Sequence, residues 1–237
     1  MKTILYKAET RGYANHGWLE SHHTFSFAGY FNPERIQFGA LRVVNDDIVA
    51  GGEGFGTHPH DNMEIVSIPL YGALEHKDSM GNGSIIRSGE VQVMSAGTGI
   101  THSEFNANAT EPVNFFQIWV FPNKDGVEPR YGQQKFDLDN AQNQLIQLVS
   151  PDPNDEGLWF HQDAWFNIGT FAKNYSFDYT FKDERNGLFA MVVEGEFEVE
   201  SHELSRRDAV GLWDAPSVHI TAKSENARIL LIEVPMY

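Results

Sequence analysis

Short apolar runs broken by Gly, Asn, Asp and Pro dominate the chain, and long helical periodicities are scarce. FGALRVVNDDIV (38–49), EIVSIPLYGALEHKD (64–78), EVQVMSA (90–96) and NFFQIWVFP (114–122) read as strands from their β-branched and aromatic content. Within the second, GALEH alternates inward and outward positions as a half-buried strand does, and DSMGNG (78–83) supplies a turn after it. The second half has the same texture: NQLIQLVS, SFDYTF, GLFAMVVEGEFEVE, AVGLWDA and ARILLIEV are strand-like. Turn signals at short spacing between such runs predict an all-β barrel or sandwich. PNKDGVEPRYGQQKFDLDN (122–140), rich in Pro, Gly and Asx, is the best boundary or linker candidate, and PDPNDEG (151–157) reads as a second loop. PLYGALEHKDSMGNG followed by GEVQVMSAGTGITHS shares its plan with VVEGEFEVESHELSRRDAVGLWDAPSVHITA, which suggests a duplicated β unit.

Composition narrows the chemistry. A chain of 237 residues with 41% apolar positions can build one large core or two small ones. It has no cysteine, so disulfides, thiolate metal sites and iron–sulfur clusters are excluded. The 33 acidic and 17 basic side chains argue against a protein that wraps a nucleic-acid backbone. The excess is shared: residues 1–140 carry 17 acidic and 10 basic groups, a net of -7, and residues 141–237 carry 16 and 7, a net of -9. No run approaches 18 apolar residues, and MKTILYKAETRGYANHG lacks the apolar stretch of a leader, so a cytoplasmic protein with no membrane partner is expected.

The densest chemical signal is GEGFGTHPHDNME (52–64). His58 and His60 are two apart, and on a strand such side chains share a face, so two imidazoles can grip one ion. SAGTGITHSEF (95–105) repeats the spacing with His102 and Glu104. Two such pairs on facing strands offer three imidazoles and a carboxylate, a set suited to Fe, Ni, Cu, Zn, Mn or Co. Glu64, four residues beyond His60, shares its face only if the strand runs on unbroken; a further ligand, a partner to an imidazole N–H and an ordinary carboxylate all remain open. His76 reads as structural. Of the adjacent His22 and His23, at most one can face a site. Phe25 and Phe27 read as core, and His161, His202 and His219 have no paired neighbour.

HTFSFAGY, GFGTHPHDNMEI, LEHKDSMGN, MSAGTGITHSE and QIWVFP, in this order, closely resemble the pirin family of the cupin superfamily, and most of all its bacterial two-cupin branch, which includes quercetin 2,3-dioxygenases. The usual Pro of the second cupin motif is replaced by Ser95, and Gly72 falls one place late. The resemblance implies two antiparallel β-barrel (jelly-roll) domains packed face to face, residues 1–135 with the metal and residues 136–237 without. It implies one divalent ion, iron foremost, held by His58, His60, His102 and Glu104, with Glu64 outside the set. It implies ring opening of flavonol-like aromatic substrates by O2 with release of CO, with Glu104 as the catalytic proton acceptor and Met63, Phe55 and Phe27 as wall residues. The alternatives left open are a metal-binding regulatory protein that acts on a protein partner without turnover, and a structural or small-molecule-binding cupin with a vestigial site. Two units in one chain can replace the dimer that single-unit cupins form, so a monomer is expected.

Overall fold

Short runs, the longest of nine residues and many rich in Val, Ile and Phe, form strands through most of the chain. The structure, a computed structural model, describes residues 1–138 and 140–237; Asp139, inside the segment read as a linker, lies outside the described residues. One seven-stranded sheet runs, in spatial order, Arg130–Lys135, Glu90–Ser95, Glu64–Tyr71, Val113–Val120, Leu41–Val49, Leu19–His23 and Gly12–Asn15. A four-stranded sheet of Gly54–His60, Ile100–Asn106, Ala73–Asp78 and Gly83–Arg87 packs on it, with Leu74 and Ile86 meeting Leu19, Val49, Val113 and Phe115 between the layers.

The second half repeats this plan. Lys2–Tyr6, Ala209–Trp213, Asn186–Glu194, Ala227–Pro235, Trp165–Phe171, Gln144–Ser150 and Leu158–Trp159 make the larger sheet. Ser176–Thr180, Ser217–Ala222, Phe197–Val199 and His202–Leu204 make the smaller one. Its interior is filled by apolar side chains such as Phe171, Phe197, Val210 and Leu231.

The sheets do not form the β-barrels that the resemblance implies. Among the described residues every sheet is open: the end strands of the first large sheet, Arg130–Lys135 and Gly12–Asn15, each have one hydrogen-bonded neighbour and do not pair with each other. Closure requires tilt and stagger that bring the end strands into register. Here the layers stack as two-sheet sandwiches, and side chains fill the gap between them. Alternating short strands serve both architectures, so the pattern along the chain could not separate them.

The two large sheets share one core. Val44, Val66, Ile68, Phe116 and Ile118 from the first meet Phe166, Ile168, Phe189, Met191 and Leu230 from the second. Strand exchange ties the halves further, because Lys2–Tyr6 pairs with Ala209–Trp213 at the edge of the second large sheet. The segment read as a linker contributes Arg130–Lys135, which pairs with Glu90–Ser95. A buried ion network crosses the same interface. Arg207 donates from Nε to Asp46 Oδ2 at 2.7 Å and from Nη2 to Asn114 Oδ1 at 3.3 Å. Its Nη1 donates to the Val193 carbonyl, and its guanidinium lies 5.1 Å over the Phe116 ring.

Strand alternation assigns the faces. Val44, Asp46, Val66 and Phe116 point toward the second sandwich, so Asn45, Asp47, Ser67 and Gln117 point into the first.

Candidate metal centre

The strand Ile100–Asn106 alternates in burial, with His102, Glu104 and Asn106 turned inward. It pairs antiparallel with Gly54–His60, so that His102 stands opposite His58 and Ile100 opposite His60. This register converts two sequence pairs into one cluster. The side-chain nitrogens of His58, His60 and His102 lie within 4.8 Å of one another, the one such group of potential ligands found among the described residues. Ring centroids are 4.9 Å apart for His58 and His60, 4.4 Å for His58 and His102, and 5.0 Å for His60 and His102.

The donor atoms are prepared for an ion. His58 Nδ1–H donates to the Gly56 carbonyl at 2.8 Å, which leaves the Nε2 lone pair free. Both ring nitrogens of His102 are buried without a hydrogen-bond partner. Buried polar atoms are almost always satisfied, so the nitrogen of His102 that carries the lone pair fits a ligand that completes the site. Burial, reinforced by the neighbouring imidazoles, pushes His102 down to about 2, and burial with His58 pushes His60 down to about 4. These two rings are therefore neutral at pH 7, the state in which imidazole ligates metal.

Glu104, like His102, is turned inward on the strand Ile100–Asn106. A β-bulge between His102 and Glu104 shifts the pairing, so Glu104 faces Phe55 rather than Gly56. Its carboxylate accepts from Gln117 Nε2 at 2.7 Å and from Ser67 Oγ at 3.1 Å. The Ser67 hydroxyl also lies 3.2 Å from Gln117 Oε1, and its single proton can serve only one acceptor at a time. Full burial raises the Glu104 carboxyl above its ordinary range against these donors.

Sequence reasoning missed Ser67 and Gln117, although each is a polar residue flanked by apolar ones within a buried strand, which is the signal that would have found them. His76, read as structural along the chain, lies near the cluster. That ring is fully buried, has no partner on either nitrogen, stacks on Tyr131 at 4.8 Å and lies 5.2 Å from His102.

Glu64 lies outside the histidine cluster. It starts a strand in the other sheet of the sandwich, so its phase is independent of His60, and it accepts from Ser95 Oγ at 2.7 Å. Of the proposed wall residues, Phe27 and Phe55 line a cavity of about 680 Å³, whereas Met63 packs in a small apolar cluster with Ile65 and Met94. Of the adjacent histidines, His23 faces this cavity and His22 packs against Tyr13.

Paired open sandwiches with a histidine cluster on the inner face of one of them define a metal-binding protein of the cupin class. The sequence profile described as Pirin matches residues 6–120, and that of the Quercetinase C-terminal cupin domain matches residues 147–234. The chain is 44% identical over 231 residues to a quercetin 2,3-dioxygenase of Escherichia coli (strain K12), covering 98% of both proteins. It is 37% identical over 223 residues to a pirin-like protein of Caulobacter vibrioides, covering 94% of this chain and 95% of that one. Among solved structures, the bacterial pirin YhhW from Escherichia coli in complex with nickel(II) superposes with a TM-score of 0.94 at 41% identity, covering all of both chains. The chain belongs to the pirin family of the cupin superfamily, in its two-cupin form. Its relatives and its histidine cluster together support a metal-dependent, dioxygenase-like function.

Proposed function

We propose that the protein is a dioxygenase that opens the central ring of flavonol-like aromatic substrates with O2 and releases CO, and that His58, His60, His102 and Glu104 hold its single divalent ion. The observation that carries the reading is the convergence of the His58, His60 and His102 side-chain nitrogens within 4.8 Å, on strands that also bury Glu104, in a chain 44% identical to a quercetin 2,3-dioxygenase. A bound divalent ion would supply Lewis acidity that lowers the pKa of a substrate hydroxyl.

The chain's own residues supply the rest. Glu104 takes the hydroxyl proton, and Gln117 and Ser67 hold its carboxylate in one orientation as it does so. Trp119 packs edge-on against His60 at 4.9 Å and against Phe27 at 5.3 Å, which links the cluster to the aromatic wall of the cavity. A cavity of about 680 Å³ lies in the range of small-molecule sites, and Trp18, Phe27 and Phe55 give it surfaces for a flat aromatic body that excludes water. In this reading the ion lies within residues 1–135, and residues 136–237 support the large sheet from behind.

The test is quercetin loss and CO release by protein loaded with iron, nickel, copper or manganese. Turnover above that of the free ion is expected with at least one of them. No turnover with any refutes the reading, and stoichiometric metal retention without turnover would favour the regulatory alternative.

A further inference from the structure

The same cavity carries a second chemical feature that the metal cluster does not use. Ser21 and His23 on one strand and Asn45 and Asp47 on the next face each other in register, Ser21 opposite Asp47 and His23 opposite Asn45. All four are buried residues, and all four line the cavity. Two residues apart on each strand, they form a two-by-two polar patch in a wall otherwise made largely of aromatic rings.

The hydrogen bonds within the patch fix which atoms are left over. Ser21 Oγ donates to Asp47 Oδ1, so its proton is committed. Asn45 Oδ1 can only accept, so the 3.0 Å contact from His23 Nδ1 requires the proton on Nδ1. Burial lowers the pKa of His23, which keeps the ring neutral and leaves Nε2 as an acceptor. His23 Nε2, the Asn45 amide Nδ2 and Asp47 Oδ2 have no protein partner among the described residues and are not sealed from solvent. The patch therefore turns an acceptor, a donor and a carboxyl oxygen toward the cavity, next to aromatic surface: Tyr30 stacks on His23 at 6.4 Å with an interplanar angle of 20°.

The patch is also joined to the metal cluster. Asn45 pairs across the strands with Gln117, whose amide holds Glu104, and Phe55 of the cavity wall pairs with Glu104.

We infer that His23, Asn45 and Asp47 are specificity residues that recognise adjacent hydroxyls on the ring of a flat aromatic ligand, the catechol class, while its other end reaches the histidine cluster. The inference rests on the proposed function for the placement of the reacting end. One phenolic hydroxyl donates to His23 Nε2 and accepts from Asn45 Nδ2, and its neighbour donates to Asp47 Oδ2 when that carboxyl, raised by burial to about 7, is ionised. An unhydroxylated ring would leave all three buried groups unpaired, which is how a polar site rejects an analogue that lacks the matching group.

The test is binding, not turnover. Metal-loaded protein is titrated calorimetrically without oxygen against quercetin and against 3-hydroxyflavone, which keeps the reacting portion and lacks the other hydroxyls. The wild type is expected to prefer quercetin by roughly tenfold or more, from two or more added hydrogen bonds. His23→Phe, which keeps the ring stack, and Asp47→Leu should each reduce that preference roughly three- to tenfold at unchanged metal content. If Asp47→Leu fails to fold, His23→Phe alone decides the matter. No preference in the wild type, or a preference indifferent to His23→Phe, overturns the inference. A preference that responds as expected in a protein without turnover upholds it and refutes only the dioxygenase reading.

Discussion

Removing Arg207 tests whether the two sandwiches are held in register by a buried charge. Arg207 is 4% exposed and sits at a positive φ of 70°, a conformation that costs free energy outside glycine. It supplies the shortest cationic contact to Asp46, at 2.7 Å, while Arg11 Nη1 lies 3.6 Å from the same oxygen and Asn114 Nδ2 donates to the other at 2.7 Å. Truncating one member of a buried pair costs about 3–5 kcal/mol, because the remaining charge is left buried. Arg11 and Asn114 retain part of the compensation, which places Arg207→Leu near the lower figure, about 3 kcal/mol. For a chain of this length that corresponds to a fall of roughly 6–12 °C in Tm. The assay is urea denaturation of Arg207→Leu, Asp46→Asn and the double variant. The double variant should be more stable than the sum of the single losses predicts, since neither charge is then left alone. Burial alone would raise the Asp46 carboxyl, but Arg207, Asn114 and Arg11 hold it below the ordinary value. Its contribution is therefore present above the unfolded carboxyl pKa and disappears as pH falls through the lower folded value. Single losses that simply add, or an Arg207→Leu cost under about 1 kcal/mol as for an exposed pair, would refute the argument.

Three further outcomes are expected. His102→Ala removes the most buried imidazole of the cluster and should abolish stoichiometric metal; unchanged metal content by elemental analysis rejects the ligand assignment. Burial raises Glu64 to about 7 against help from Ser95, so its ionisation opposes folding: the stability it allows is full below the unfolded pKa of 4.5 and is lost as pH rises through about 7. Glu64→Gln should therefore gain about 3 kcal/mol relative to wild type between pH 4.5 and pH 8, read from urea midpoints, and a pH-independent difference would contradict this. Gln117→Leu strips a donor from the buried Glu104 carboxylate and should cost about 1–3 kcal/mol, more than Ser67→Ala, whose one proton is shared between two acceptors; the reverse order in thermal denaturation would show that Ser67 is the principal support.

Much of the site was legible along the chain because strand geometry is local. The spacings of His58 with His60 and of His102 with Glu104 specify one face each, wherever the strands go. Ser67 and Gln117 were equally visible as polar residues in apolar runs, yet nothing local says that both meet Glu104. Glu64 shows the limit of such arithmetic. Counting four residues from His60 carries a face only through an unbroken strand, and Asn62 at a φ of 42° lies where the chain leaves one sheet for the other.

By itself, then, the sequence determined the all-β character, the inward and outward phase within each strand, and the nitrogen and oxygen chemistry that a chain without cysteine must use. Tertiary structure decided that the sheets stay open, that His102 stands opposite His58, that a bulge sets Glu104 against Phe55, and that Arg207 meets Asp46 across 161 residues of chain. The division has one physical cause. Side-chain phase follows from backbone geometry over a few residues, whereas register, sheet closure and ion pairing follow from which distant strands bury their surfaces together.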